Sequence, residues 1–138
     1  NVVAESTVVH GDIRTLSLEQ LARAQETMRR LVARHYPGTT AKVTFDEGYP
    51  PLAPTEGNRR LLTMFDQASR DLGLGPVSAA DPARAGAADI SFTAGLVDMA
   101  LDGVGLMGSG GHTVQETADL RTLALNAKRI ALVLARLR

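Results

Sequence analysis

The chain reads TVVHGDIR over residues 7–14, an alternation of β-branched and polar side chains that predicts a β-strand. Val9 and Ile13 would lie on one face of this strand, and Arg14 would end it on the opposite, polar face. A second alternating stretch, TAKVTF over residues 40–45, predicts another strand. With the helix predicted between them, these strands make the β-α-β unit on which the predicted fold depends.

Three long helices are predicted from their caps and from apolar periodicity. Ser17 and Gln20 match a capping box, so the first helix should follow them and extend to about residue 35. Thr55 is the predicted cap of the second helix, and the third covers about residues 120–137. The side chains predicted to face the core are Leu21, Ala24, Met28, Leu31 and Val32 in the first helix, Leu61, Phe65, Ala68 and Leu72 in the second, and Leu123, Ala127, Ile130, Ala131, Leu134 and Leu137 in the third.

Residues 48–54 read GYPPLAP, a proline-rich composition typical of a semi-rigid spacer. A domain boundary is therefore predicted here, with residues 1–54 in one domain and 55–138 in the other. In the second domain, Asp89 is predicted to cap a short helix, and the apolar run 99–107 to form a strand. Neither part has enough strands for a complete sheet, so both are interpreted as pieces of larger domains in a longer protein.

Composition excludes several classes of function. The 138 residues hold 15 basic and 15 acidic side chains, so the basic excess that nucleic acids or acidic membranes select is missing. No apolar run approaches the length of a membrane span. The chain contains no cysteine, which rules out disulfides, thiolate zinc ligands and thiol catalysis within it.

A glycine-rich turn presents one histidine. Residues 108–113 read GSGGHT, and Glu116 follows closely. Glycines allow positive φ angles and close approach, so the imidazole of His112 would be offered to a ligand such as a metal ion. A catalytic zinc needs about three protein ligands, and no partner cluster is evident in the chain. A solvated loop histidine without a role fits the same pattern, so the residue alone leaves both interpretations open.

The order of several segments adds information that none of them carries alone. The chain shows NVV before a strand that ends in Arg14, then the proline boundary, GNR at 57–59, GAAD at 86–89, and GGHT at 110–113. This order resembles the C-terminal segment of M20-family zinc peptidases, the carboxypeptidase and aminoacylase group. The resemblance covers essentially the whole chain.

The resemblance implies an α/β fold: a partial ferredoxin-like lid (β-α-β) followed by the C-terminal part of a zinc-peptidase α/β catalytic domain. It implies hydrolysis of a peptide or N-acyl amino acid amide bond next to a carboxylate, with two zinc ions and a homodimer. The other metal ligands and the general base would precede Asn1, so these residues alone are expected to be inactive. The residues that match the family's sites are His112 for the metal, and Asn1, Arg14, Gly86, Ala87 and Asp89 for the substrate.

Two departures bear on specificity. Ala88 stands where the family often has a hydroxyl side chain, and Tyr49 stands where some carboxypeptidase-type members have an arginine. A preference for glutamate-type substrates is therefore not implied. A different class of function stays open as well: a non-enzymatic interaction module that pairs with a partner through the edge of its β-α-β unit.

Overall fold

The computed structural model describes residues 2–82 and 88–137. Helices dominate the described residues, and a two-stranded antiparallel sheet accompanies them, so the coarse prediction of a mixed α/β chain is confirmed. None of the described helices is long and apolar enough to cross a membrane. The elements among these residues are helices α1 (Leu18–Val32), α2 (Glu56–Asp71) and α3 (Arg121–Arg136), strands β1 (Gly108–Ser109) and β2 (Thr117–Ala118), and the 3-10 helices Asp89–Phe92 and Ala94–Leu96.

The first two helices begin at the caps predicted from the sequence. The Ser17 hydroxyl accepts from the Gln20 backbone N–H at 3.2 Å, and the Gln20 side chain accepts from the Leu16 N–H at 3.0 Å. The Thr55 hydroxyl likewise accepts from the Asn58 N–H at 3.1 Å. These bonds satisfy backbone donors that have no partner within the helix, which is why both helices begin where they do.

The core lies between α2 and α3. Phe65 and Ala68 of α2 are buried, as predicted, and they form one cluster with Val133 of α3. The predicted face of α3 is right only in part: Ile130 packs against this cluster, whereas Leu123 and Leu134 are 59% and 63% exposed. Apolar residues surround most of this helix, so periodicity alone does not choose a face. The hydrogen bonds of Asn126 to Gly105 and of Arg129 to Ser69 determine which face of the helix turns toward α2.

Helix α1 packs differently from the prediction. It has no buried residue, and among the described elements it does not pack against α2 or α3. Met28 and Leu31, two of the predicted core residues, are 39% and 58% exposed. The Arg29 guanidinium lies over the Phe45 ring at 5.0 Å from its centroid, which connects α1 to the segment that follows it.

The predicted strands are wrong for this chain. Residues 7–14, 40–45 and 99–107 form no strand, and within the described part of the chain only β1 and β2 pair. A strand is stabilised by hydrogen bonds to a neighbouring strand, and none of these segments finds one here. Val9 is therefore 87% exposed in spite of its strand-forming sequence.

The first turn of α2 lies directly against the backbone of residues 98–100. A Cβ added to Gly57 would come within 1.9 Å of the Asp98 carbonyl oxygen, so only glycine permits this approach. The Asn58 side chain donates to the Ala53 carbonyl at 2.8 Å and accepts from the Ala100 N–H at 2.7 Å. These contacts fix the start of the segment that leads to β1.

Candidate functional site

The predicted histidine turn is a β-hairpin. Strands β1 and β2 are antiparallel, with Gly108 opposite Ala118 and Ser109 opposite Thr117. The Ser109 and Thr117 hydroxyls are 2.9 Å apart across the pair. A Cβ on Gly108 would lie 2.2 Å from the Thr117 carbonyl oxygen, so glycine is required for the two strands to meet.

The loop of the hairpin is organised by Thr113. Its N–H and its hydroxyl both donate to the Gly110 carbonyl, at 3.1 and 2.7 Å. The same hydroxyl accepts from the Gln115 N–H at 3.2 Å, and the Glu116 N–H donates to the Thr113 carbonyl at 3.1 Å. Gly110 has a φ of 68°, which glycine adopts without cost. The loop is therefore a defined turn built from its own hydrogen bonds.

His112 has an unusual backbone in this turn. Its φ is 64°, and within residues 2–82 and 88–137 it is the only non-glycine residue in the left-handed region. That conformation costs a histidine about 1–2 kcal/mol relative to the right-handed region. The side chain is exposed, and no hydrogen bond or ion pair joins its imidazole to another described residue. Both ring nitrogens are therefore available to a ligand.

Glu116 lies on the same hairpin. One of its carboxylate oxygens is 3.9 Å from the position that a Cβ on Gly111 would take. The side chain lines a shallow depression of about 270 Å³ together with residues of both strands. Within the described ranges, however, no three histidine or acidic side chains come close enough to hold a metal ion. The residues present thus fit one ligand of a zinc site, which needs about three from protein.

The predicted substrate residues fall into two groups. Asn1, Gly86 and Ala87 lie outside the described residues. Arg14 is exposed in the irregular N-terminal segment, and its guanidinium has no hydrogen-bond or ion-pair partner among the described residues. Asp89 begins the first 3-10 helix, whereas the prediction gave it the capping position, which Ala88 occupies without a side-chain cap.

A contact that the sequence did not reveal joins Tyr49 to Asp89. The Tyr49 hydroxyl donates to an Asp89 carboxylate oxygen at 2.9 Å. The Tyr49 ring also packs on Phe92, with centroids 5.0 Å apart and an interplanar angle of 54°. Tyr49 and Asp89 are 40 positions apart, and no local spacing signals their contact. The pair connects the proline-rich segment to the loop predicted to bind substrate.

The contact between Tyr49 and Asp89 is expected to shift the titration of the Tyr49 hydroxyl to higher pH. The hydrogen bond to Asp89, and then the negative charge of that carboxylate, raise the pKa of Tyr49 above its ordinary value. In a Tyr36→Phe variant, which leaves Tyr49 as the only tyrosine, absorbance at 295 nm should titrate with a midpoint above about 10. The contact therefore stabilises the folded state below about pH 10. This stabilisation is lost as the pH rises through the folded-state pKa of Tyr49, because the folded state keeps the Tyr49 proton to a higher pH than the unfolded chain does.

Adding Asp89→Asn to that variant removes the charge and should return the midpoint toward the ordinary value. Equal midpoints in the two variants would show that Tyr49 and Asp89 do not interact in solution.

Comparison with family models, curated proteins and solved structures found no match. The function of the chain is therefore inferred from its own residues. The features that bear on it are the Tyr49–Asp89 pair and two side chains without a partner in residues 2–82 and 88–137, the imidazole of His112 and the guanidinium of Arg14.

Proposed function

We propose that the chain is the C-terminal segment of an M20-type zinc hydrolase that cleaves a peptide or N-acyl amino acid amide bond next to a carboxylate. The observation that carries this proposal is His112, which has a left-handed backbone in the hairpin loop and an imidazole that bonds to none of the described residues. Left-handed backbone at a non-glycine residue is concentrated at functional sites, which supports a role for His112.

In this proposal His112 supplies one ligand of a two-zinc site. Zinc, when bound, polarises the scissile carbonyl and lowers the pKa of a bound water to about 7. The remaining ligands and the carboxylate that takes the proton come from sequence before residue 1. The described residues support only the single-ligand role, since they contain no group of three donors.

The carboxylate of the substrate would be bound by Arg14 and Asn1. A guanidinium offers two parallel N–H donors to a carboxylate, and that of Arg14 is not engaged by any described side chain. Gly86, Ala87 and Asp89 would line the pocket for the rest of the substrate. Because the Tyr49 hydroxyl already binds Asp89, this side of the pocket presents an aromatic ring and an occupied carboxylate.

The proposal assigns to the lid the segments that form no strand among the described residues. Residues 7–14 and 40–45 have strand-forming sequences, and α1 lies between them without packing on α2 or α3. In the complete protein these segments would pair with further strands to complete a ferredoxin-like lid, and two lids would associate in a homodimer. The exposed Val9 and Leu31 agree with a surface that another part of the protein covers.

The experiment is hydrolysis by the complete protein encoded around these residues. Dipeptides and N-acyl amino acids with a free carboxylate should be cleaved, and the same compounds with an amidated carboxyl group should not. Dialysis against a chelator should abolish cleavage, and added Zn²⁺ should restore it. Equal cleavage before and after metal removal, or no cleavage of any carboxylate-bearing amide, would contradict the proposal.

A second candidate is the interaction module, favoured by the exposed N-terminal segment. Val2 and Val3 are 98% and 91% exposed, so this segment, which forms no strand with any described residue, is accessible to a partner strand. In that case a partner would protect the backbone amides of residues 7–14 from hydrogen exchange, and replacing His112 would change nothing.

A further inference from the structure

The histidine hairpin is attached to the rest of the chain at its base. All four residues of β1 and β2 are exposed, and so is the whole loop between them. The Asp119 N–H donates to the Met107 carbonyl at 2.8 Å, which closes the open end of the hairpin. The Asp119 carboxylate accepts from the Arg121 N–H at 3.1 Å, which attaches the end of β2 to α3. Residues before β1 make further contacts with α3.

Two side chains of α3 supply those contacts. The Thr122 hydroxyl accepts from the Met107 N–H at 2.9 Å and donates to the Asp119 carbonyl at 2.6 Å. The Asn126 amide N–H donates to the Gly105 carbonyl. Thr122 and Asn126 are one helical turn apart, so they lie on the same face of α3. Gly105 and Met107 are two residues apart in the segment that leads to β1.

The orientation of the Asn126 amide is fixed by a buried network. Asn126 is 5% exposed, and its side-chain oxygen accepts from the Arg129 guanidinium. Arg129 in turn donates to the Ser69 hydroxyl of α2 at 3.0 Å, and that hydroxyl donates to the Gly75 carbonyl at 2.7 Å. A guanidinium only donates and a carbonyl only accepts, so a flipped Asn126 amide would lose both bonds. The network therefore connects the core to the segment before β1.

We propose that Thr122 and Asn126 are positioning residues for His112. They hold residues 105–107 along α3 and so set the direction in which the hairpin presents its imidazole. The consequence for metal binding rests on the proposed function, whereas the restraint on the hairpin is argued from the hydrogen bonds alone. Neither residue contacts His112, and each acts through the base of the hairpin.

The direct test measures the spread of hairpin positions. Because the chain has no cysteine, Val114→Cys and Lys128→Cys give two unique sites for spin labels, one on the loop and one on α3. Both positions are exposed. Pulsed dipolar spectroscopy should give a narrow distance distribution in this background. Thr122→Val removes the hydroxyl at nearly constant shape and should broaden the distribution, whereas Thr122→Ser keeps the hydroxyl and should leave it narrow.

Asn126→Asp is the second variant, because it keeps a partner for Arg129 while it turns a carboxylate oxygen toward the Gly105 carbonyl. It should broaden the distribution as Thr122→Val does. In both variants the hairpin amides should exchange with solvent about tenfold faster, while the amides around Phe65 and Val133 keep their protection. An unchanged distribution in both variants, or one already broad with Thr122 and Asn126 intact, would overturn the proposal.

Zinc affinity of the complete protein separates this inference from the proposed function. Thr122→Val should raise the zinc dissociation constant about tenfold relative to Thr122→Ser, the effect expected of groups that orient a ligand. Equal affinities would overturn the metal consequence of the positioning role. If the unmodified protein binds no zinc through His112, the proposed function fails, and the label distances still decide whether Thr122 and Asn126 hold the hairpin.

Discussion

Replacing Gly57 with alanine is expected to lower the free energy of unfolding by about 2 kcal/mol, the typical cost of adding a methyl group where there is no room. The new Cβ would lie 1.9 Å from the Asp98 carbonyl oxygen and 3.2 Å from the Met99 Cγ. Met99 has a flexible side chain that can move away, but the Asp98 oxygen belongs to the backbone. The ordinary gain from replacing a helical glycine, about 1 kcal/mol, is therefore outweighed.

Urea unfolding of the chain measures this effect. Gly95→Ala is the matched control, because Gly95 lies in a short 3-10 helix and no atom is within 4 Å of the position its Cβ would take. The shift forced on residues 98–100 should also lengthen the 2.7 Å bond between Asn58 and the Ala100 N–H. A Gly57→Ala chain as stable as the Gly95→Ala chain would show that α2 does not pack against this segment as described.

Replacing His112 with asparagine should reduce hydrolysis by the complete protein at least about a hundredfold. Asparagine tolerates the left-handed backbone conformation better than most residues, so the hairpin is retained while the imidazole is lost. Loss of groups that merely orient a metal ligand costs 10–100-fold, and loss of the ligand itself should cost at least as much. Steady-state kinetics with an N-acyl amino acid, together with the zinc content of the purified variant, measures both consequences.

His10 and His35 provide matched controls within the same chain. Both are exposed, and His35 makes only a local contact, 3.2 Å from its Nδ1 to the neighbouring Tyr36 carbonyl. Their replacement by asparagine should leave the rate and the zinc content unchanged. Full activity in His112→Asn would remove the metal role from this histidine and favour the interaction module.

Local signals in the sequence predicted the helices well. Ser17 and Thr55 determine where α1 and α2 begin, because a side-chain oxygen next to an apolar periodic run satisfies backbone donors within a few residues. The strand predictions fail, because a strand depends on a neighbouring strand that local sequence does not specify. The valine-rich alternation around Val9 indicates a capacity to pair, and the partner decides whether that capacity is used.

The rotation of α3 about its own axis and the contacts around the site also depend on residues that are distant in sequence. Leu123 and Leu134 match a buried periodicity, yet Asn126 and Arg129 turn the helix so that their polar groups reach Gly105 and Ser69. The glycine pattern correctly located a turn around His112. The pairing of β1 with β2 and the left-handed backbone of the histidine required the structure.

The Tyr49–Asp89 contact is another feature that local sequence does not predict. Each residue stood out in the sequence for a separate reason, Tyr49 as a replacement for an arginine and Asp89 as part of a substrate loop. Their hydrogen bond joins segments 40 positions apart, and a fold is needed to bring such segments together. Individual candidate site residues are therefore recognisable in the sequence, but the sequence does not reveal which of them contact one another.

The most direct test of the account is the position of zinc relative to His112. A crystal of the complete protein with zinc, with diffraction data collected on both sides of the zinc absorption edge, locates the metal without assumptions about ligands. We predict an anomalous peak about 2.0–2.1 Å from a ring nitrogen of His112, with further histidine and carboxylate ligands from preceding sequence. Zinc peaks elsewhere, with the His112 imidazole surrounded by solvent, would contradict the proposed function.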